Sequence, residues 1–269
     1  MDRRRGARAL LLLLLGAVSG IATCRALPPS GGSLAEHLAI DSLGLEIFLA
    51  GFAFAGASLS REPLRRRLGL GPSRISLASL ATLVVGAVGV SHALDGTIEL
   101  LHLREKSSLA TFDFTLAGAR GSALALALVG IGLAPAIAEE LLCRGLVQRG
   151  LLRRFRPAVA VPLASVFFGV LHIDPVHAVF ASMLGLYLGL AAWLAGSTRA
   201  AIACHAVNNL LAVAVAALLP GPELADPVSA AGGFALAAAC LWLVHRRIPA
   251  TALEESRGKG AAAPTPRHA

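Results

Sequence analysis

The chain has 269 residues, of which 56% are hydrophobic and 15% are charged, and its mean hydropathy is +0.71. Soluble domains have about 25% charged residues, so this composition excludes an ordinary soluble enzyme and indicates an integral membrane protein. The formal net charge of +8 does not indicate a nucleic-acid partner, because the arginines stand in short clusters at the ends of apolar runs, as membrane topology requires.

The apolar runs predict an all-α, polytopic membrane helix bundle of about eight transmembrane helices. The first run, residues 9–23, follows a basic segment and is typical of a signal peptide or a signal anchor. We expect it to be retained, because an even number of spans fits the charges of the later loops. The remaining predicted spans, in chain order, are residues 42–60, 75–95, 119–150, 157–173, 176–195, 200–219 and 228–245.

These spans divide the chain into four parts. Residues 1–118 hold the N-terminal transmembrane helices, the first of which is a candidate signal anchor. Cleavage of the same segment as a signal peptide would instead remove residues 1–24. Residues 119–219 form a core that carries three polar motifs. Residues 220–248 contain the last span, and residues 249–269 form a basic tail of low complexity that we expect to be disordered.

The distribution of arginine predicts the orientation of the bundle. When the N-terminus is placed in the cytoplasm, the acidic loop 220–227 falls outside, and the basic segments fall inside: 61–74, 149–156, Arg199 and Arg246–Arg247. Eight spans then obey the positive-inside rule at every loop. We therefore expect both termini in the cytoplasm, and the Ala-, Gly- and Arg-rich composition favours a bacterial inner (cytoplasmic) membrane.

The first polar motif is EExxxR in the span 119–150. A charged side chain within a span costs at least about 2.5–3.5 kcal/mol, so each one needs a specific role. Glu140 and Arg144 are four residues apart on one helix face and can pair, whereas Glu139 points about 100° away and is left for another role. Taken alone, the motif is also compatible with a solvated helix end.

Two further motifs lie on separate spans. His172 ends the span 157–173 with Phe168 one turn before it, and His205 and Asn209 share a face of the span 200–219. An acid, two imidazoles and an amide on different spans predict a polar cavity between helices. Straight, upright helices would place these groups at depths that differ by about 15 Å, so their convergence requires tilt, a break or shifted helix ends.

The three motifs EExxxR, FxxxH and HxxxN, in this order, resemble those of the CPBP family. This family contains the CAAX prenyl endopeptidases and the bacteriocin-processing or immunity proteins. The resemblance covers roughly residues 119–215 and implies an intramembrane endopeptidase. The partners that it implies are a membrane-associated protein or peptide substrate and the lipid bilayer.

The resemblance also implies a role for each motif residue. Glu139 and His172 would hold and activate a water, with Glu139 as the general base, and His205 and Asn209 would donate hydrogen bonds to the oxyanion of the tetrahedral intermediate. The supporting residues would be Glu140, Arg144 and Phe168. No cofactor is favoured for this mechanism.

Three alternatives stay open at this point. Glu139, His172 and His205 could instead ligate zinc, although the HExxH motif is absent. Buried charges beside a helix that we expect Pro135 to break also suit a transporter, and an immunity protein could keep the fold without turnover. Elsewhere, we expect Glu46 at the outer interface and His177 in an outer turn.

Overall fold

We describe a computed structural model of the chain, which covers residues 32–219, 226–249 and 251. The predicted first span, most of the loop 220–227 and nearly all of the tail 249–269 lie outside the described residues. Within them all regular structure is helical, so the predicted all-α class is confirmed.

Seven main helices form the bundle. They are α1 Leu34–Ser58, α2 Leu77–Leu100, α3 Gly121–Leu151, α4 Pro157–Val170, α5 Pro175–Ala195, α6 Thr198–Leu218 and α7 Pro227–Arg247. Among the described residues, six of these helices are long and apolar enough to cross a membrane, and α4 is shorter, with 14 residues. Each of the last seven predicted spans corresponds to one helix, and the total of eight stays a prediction.

Short polar signals set the helix ends. Ser33 and Glu36 form a capping box that starts α1, and the carboxylates of Asp174 and Asp226 accept backbone N–H groups at the starts of α5 and α7. Such caps satisfy amide groups that have no partner inside the helix. Gly196, with a φ of +64°, ends α5 in the left-handed conformation that glycine adopts without strain.

Small residues allow the helices to approach closely. A Cβ atom on Gly233 of α7 would lie 2.5 Å from the carbonyl oxygen of Gly89 on α2. In lipid, helices associate through van der Waals contact instead of a hydrophobic driving force, so small residues at the interface are favourable. The Ala- and Gly-rich composition is therefore a packing requirement of this bundle.

The arginine-bearing segments 59–76, 148–156 and 196–199 lie together, and we call this region the arginine end. Hydrogen bonds join the three segments: the Thr198 amide donates to the Gly69 carbonyl at 2.9 Å, and Arg153 pairs with Glu62 at 2.7 Å. These loops were predicted to share one side of the membrane, and the structure groups them. The assignment of that side to the cytoplasm stays a prediction.

The opposite end is held by hydrogen bonds of its own. The amide of Ser108 donates to Asp174 at 2.9 Å, and the hydroxyl of Ser122 donates to Glu36 at 2.8 Å. Arg104 also pairs here with three carboxylates, those of Asp95, Glu99 and Asp113. The connection between α2 and α3 is thereby tied to the start of α5, and the start of α3 is tied to the start of α1.

Helix α3 changes its hydrogen-bonding register twice. Its middle segment Ala134–Glu140 lies between two π-helical stretches, Leu128–Leu133 and Leu141–Gln148. Pro135, at the start of the middle segment, has no N–H to donate. The break expected at this proline is therefore a change of register within a continuous helix. Glu139 and Glu140 lie between these two stretches. Because π-helical turns occur often at functional sites, this position makes the two glutamates candidates for a functional site.

Candidate active site

A fully buried carboxylate, Glu140, connects three helices. Its Oε1 accepts a hydrogen bond from Nη1 of Arg144 at 2.7 Å and another from Nδ1 of His205 at 3.0 Å. Arg144 is 1% exposed, and its Nη2 donates to the carbonyl oxygen of Gly185 at 2.8 Å. The pairing of Glu140 with Arg144 predicted from their spacing is thus present, and it ties α3 to α5 and α6.

The hydrogen bonds of His205 define its tautomer. Glu140 is ion-paired and can only accept, so Nδ1 of His205 carries a proton. On the other side of the ring, Nε2 lies 3.1 Å from Nδ2 of Asn209. The Asn209 amide is oriented by Asn208, whose Nδ2 donates to Oδ1 of Asn209 at 3.2 Å. In neutral His205, Nε2 therefore accepts from Asn209.

Glu139 is buried but has no hydrogen-bonding partner of its own. Its Oε2 lies 3.9 Å from Nε2 of His205, and no described residue donates a hydrogen bond to it. The side chain is only 11% exposed. Its lone pairs are consequently available to a water or a substrate.

Glu46 of α1 belongs to the same polar region. It is 4% exposed, and its helix packs against the segment Ala134–Glu140 of α3. The expectation that Glu46 lies at the outer interface was wrong, because α1 begins at Leu34 and not at residue 42, which places Glu46 in the middle of the helix. In the sequence, the feature that could have identified Glu46 as a site residue is its position as a charged residue inside a long apolar run.

His172 joins the site through an aromatic contact. Its Nδ1 lies 3.0 Å from the carbonyl oxygen of Phe168, which can only accept, so Nδ1 carries the proton and Nε2 is left as an acceptor. The Phe168 ring centroid is 5.0 Å from that of His172 and 5.7 Å from that of His205. Among the described residues, His172 forms no hydrogen bond with either glutamate of α3.

Phe168 fills the centre of the group. It is 1% exposed, and the Arg144 guanidinium lies 4.5 Å from its ring centroid. The position predicted as a packing residue thus separates His172 from the Glu140–Arg144 pair.

A short turn positions His172 at the start of α5. Ile173 follows it with a φ of +63°, a conformation that β-branched residues rarely adopt. His177, in the first turn of α5, packs its ring against His172 with a centroid distance of 4.4 Å. The predicted turn residue His177 is therefore in contact with a motif histidine.

The sequence-predicted residues fall into two groups. Direct hydrogen bonds and ion pairs connect Glu140, Arg144, His205 and Asn209, and Glu139 lies 3.9 Å from His205. His172 lies beside this group, across the ring of Phe168. Asn208 and Glu46 are members of the site that the motifs did not include.

The donor set does not fit a zinc ion in this arrangement. Nδ1 of His205 is held by Glu140 and Nε2 by Asn209, so neither nitrogen has a lone pair free for a metal. Over the described ranges, no three His, Cys, Asp or Glu side chains are grouped closely enough to hold a metal ion. This applies to Glu139, His172 and His205, the three ligands considered from the sequence.

A comparison with protein families matches residues 121–211 to the family described as type II CAAX prenyl endopeptidase Rce1-like. The matched segment runs from the start of α3 into α6 and contains all three motifs. Searches of curated proteins and of solved structures gave no match. The chain is thus an integral membrane protein, and its residues 121–211 match the Rce1-like model of the CPBP family.

Proposed function

We propose that the chain is an intramembrane endopeptidase that cleaves a peptide bond of a membrane-associated protein or peptide, in C-terminal or leader processing. The observation that carries this proposal is the buried carboxylate of Glu139. It has no hydrogen-bonding partner among the described residues and lies 3.9 Å from His205. A buried acid without a partner is unfavourable for stability, and a water-activating base needs these free lone pairs.

In the proposed mechanism, one water lies between Glu139 and His172. It donates one hydrogen to the Glu139 carboxylate and the other to Nε2 of His172, the nitrogen that the Phe168 carbonyl leaves free. As the oxygen attacks the scissile carbonyl, Glu139 takes the proton as general base. The same proton then passes to the leaving nitrogen when the carbon–nitrogen bond breaks.

Asn209 and His205 would stabilise the oxyanion. Asn209 has a second Nδ2 hydrogen besides the one that it directs at His205, and this hydrogen is the first available donor. The second donor would be Nε2 of a doubly protonated His205, whose Nδ1 still donates to the Glu140 carboxylate at 3.0 Å. One such donor contributes about 2.7–4 kcal/mol to the transition state.

Glu140, Arg144 and Phe168 would then act as positioning residues. Glu140 fixes the tautomer of His205, Arg144 neutralises Glu140, and Phe168 spaces the two histidines. Because both nitrogens of His205 are occupied, we propose a reaction without a metal. Retention of cleavage in EDTA, together with metal analysis of the purified protein, tests this part of the proposal.

Comparative proteomics of membranes tests the function. Cells expressing the wild type are compared with cells expressing Glu139→Gln, and Glu62→Gln serves as the control. Glu62 forms an exposed ion pair with Arg153, and such a pair contributes little to stability. We expect a precursor to accumulate in Glu139→Gln alone. A transporter or a non-enzymatic immunity protein predicts no precursor in any of the three, and that result would reject the protease.

A further inference from the structure

A proline removes the backbone donor that would bond the carbonyl oxygen of Gly130 on α3. In the π-helical stretch Leu128–Leu133, amides bond carbonyls five residues earlier, and the amide of Ala134 donates to the carbonyl of Val129 in this way. The next amide along the helix would be that of residue 135, and its acceptor would be the carbonyl of Gly130. Because Pro135 has no N–H and Gly130 is buried, this carbonyl needs a donor from outside its own helix.

A serine of α1 supplies this donor. Oγ of Ser42 donates to the carbonyl oxygen of Gly130 at 2.7 Å, across the interface of the two helices. The approach requires the glycine, because a Cβ atom at residue 130 would overlap the carbonyl oxygen of Ala39 on α1. The glycine therefore admits α1, and the serine replaces the N–H that Pro135 lacks.

The direction of the Ser42 hydroxyl differs from that of other hydroxyls in the described helices. Serine and threonine within helices commonly donate to a carbonyl of the preceding turn. In this protein such bonds are formed by Ser58, Thr82, Thr97, Ser165 and Ser182. The Ser42 hydroxyl instead bonds a residue 88 positions away. Such interhelical bonds help to hold transmembrane helices together, and here the acceptor is the carbonyl next to the proline break.

This bond lies directly before the segment that carries the two glutamates. Helix α1 packs against Ala134–Glu140, and a second close contact follows that segment. There, a Cβ atom on Gly56 of α1 would lie 2.5 Å from a methyl carbon of Leu146. Helix α1 thus contacts α3 on both sides of the glutamates, and the bond from Ser42 is at the point where the π register ends.

We propose that Ser42 is a positioning residue of the candidate active site, which holds the segment Ala134–Glu140 in register through the carbonyl of Gly130. Its consequence for catalysis rests on the proposed function. The point at which α3 leaves the π register sets the rotation of the following residues about the helix axis. A shift by one residue would turn the side chain of Glu139 by about 100°, away from His205.

Hydrogen–deuterium exchange of the full-length chain in detergent tests the register without a substrate. Ser42→Ala removes the hydroxyl, and amides in residues 128–140 should exchange roughly two- to tenfold faster, as the loss of one hydrogen bond implies. Ser42→Thr keeps a hydroxyl and should exchange like the wild type. The matched control is Ser58→Ala, which removes a hydroxyl that bonds within α1 and should leave exchange in this segment unchanged.

A second substitution separates this role from packing. Pro135→Ala restores an N–H that can bond the carbonyl of Gly130, so the hydroxyl of Ser42 is then dispensable. We expect Ser42→Ala to change exchange little when it is combined with Pro135→Ala. If Ser42 only filled space, the two substitutions would act independently, and Ser42→Ala would have the same effect in both backgrounds.

Cleavage of the precursor found by membrane proteomics gives the catalytic readout. A displacement of about 1 Å at a reacting group can lower a rate about a hundredfold. We therefore expect the cleavage rate of Ser42→Ala to fall at least about tenfold, and that of Ser42→Thr to be restored. Ser58→Ala should cleave like the wild type.

The two readouts distinguish failure of this inference from failure of the proposed function. If the wild type cleaves nothing, the proposed function is rejected, and exchange alone decides whether Ser42 holds the register. Faster exchange in Ser42→Ala that Pro135→Ala suppresses would support the inference. Wild-type exchange in Ser42→Ala, or an equal change in Ser58→Ala, would overturn it. Faster exchange combined with wild-type cleavage would overturn the role of Ser42 as a positioning residue.

Discussion

The two adjacent glutamates of α3 have different structural roles, and separate substitutions distinguish them. In Glu140→Ala, Nη1 of Arg144 and Nδ1 of His205 both lose their acceptor. Neither donor can turn to bulk water, because both side chains are buried. Removing one partner of a buried ion pair costs about 3–5 kcal/mol, and we expect a loss of stability of that size.

In Glu139→Gln, no described hydrogen bond is lost. The substitution keeps the shape of the side chain and removes a carboxylate that is buried without a hydrogen-bonding partner among the described residues. We therefore expect stability to be unchanged or slightly raised, while cleavage is abolished. Loss of activity in this variant would then reflect chemistry and not unfolding.

Thermal and chemical denaturation of the purified variants in one detergent measures the contrast. Glu140→Gln is a useful intermediate, since it keeps one oxygen as an acceptor but removes the charge, and its stability should fall between those of the wild type and Glu140→Ala. Equal destabilisation by Glu139→Gln and Glu140→Ala would refute the assignment of Glu140 as the structural carboxylate and Glu139 as the free one.

Three further predictions concern the turn and the helix contact near His172. The added methyl group of Gly169→Ala would overlap the Ala178 carbonyl of α5, and the free energy of unfolding should fall by about 1–3 kcal/mol. In the control Gly232→Ala the methyl group enters open space, so stability should not fall. Equal melting temperatures of the two variants would contradict this prediction. Ile173→Gly should raise stability by about 1 kcal/mol by relieving the positive φ, and a lower melting temperature would contradict it. Two backbone N–H groups hold the pKa of Asp174 below its usual range, so Asp174→Ala should cost about 1 kcal/mol at neutral pH. Because only the ionised cap is stabilised, this difference should vanish as the pH falls below the unfolded value of about 3.9, and a constant difference would contradict it.

The positions of the helices could be predicted from hydropathy, but the start of α1 could not. Residues 34–41 include His37 and Asp41, which lower the hydropathy of the segment, so the predicted span began at residue 42. The structure starts the helix at Leu34 because Ser33 and Glu36 form a capping box. If the capping box had been used to predict the helix start, the predicted span would have begun nearer the N-terminus, and Glu46 would have been predicted inside the membrane.

Contacts within one helix of the candidate site could also be predicted, from the spacing of the residues in the sequence. Glu140 with Arg144 and His205 with Asn209 are four residues apart on single helices, so helix geometry alone brings each pair together. Contacts between helices could not be predicted in this way, because they depend on the tilt and the register of the helices. Straight helices predicted unequal depths for the motifs, and the π-helical stretches of α3, which no local sequence rule predicts, lie beside the glutamates.

Glu46 shows why the site could not be completed from the motifs. It lies on α1, outside the matched segment 121–211, and only tertiary packing places α1 beside the segment of α3 that carries Glu139. Asn208 was adjacent to a motif residue, but its role depends on the orientation of the Asn209 amide. The spacing of residues in a sequence does not identify a side chain whose role is to orient another side chain.

The central claim is that Glu139 activates water for peptide hydrolysis within the bundle. The most direct measurement mixes purified, reconstituted wild type or Glu139→Gln with membranes from cells that express Glu139→Gln, and identifies new peptide termini by mass spectrometry. We expect a new terminus with the wild type and none with Glu139→Gln. The same terminus formed at the same rate by both proteins would contradict it.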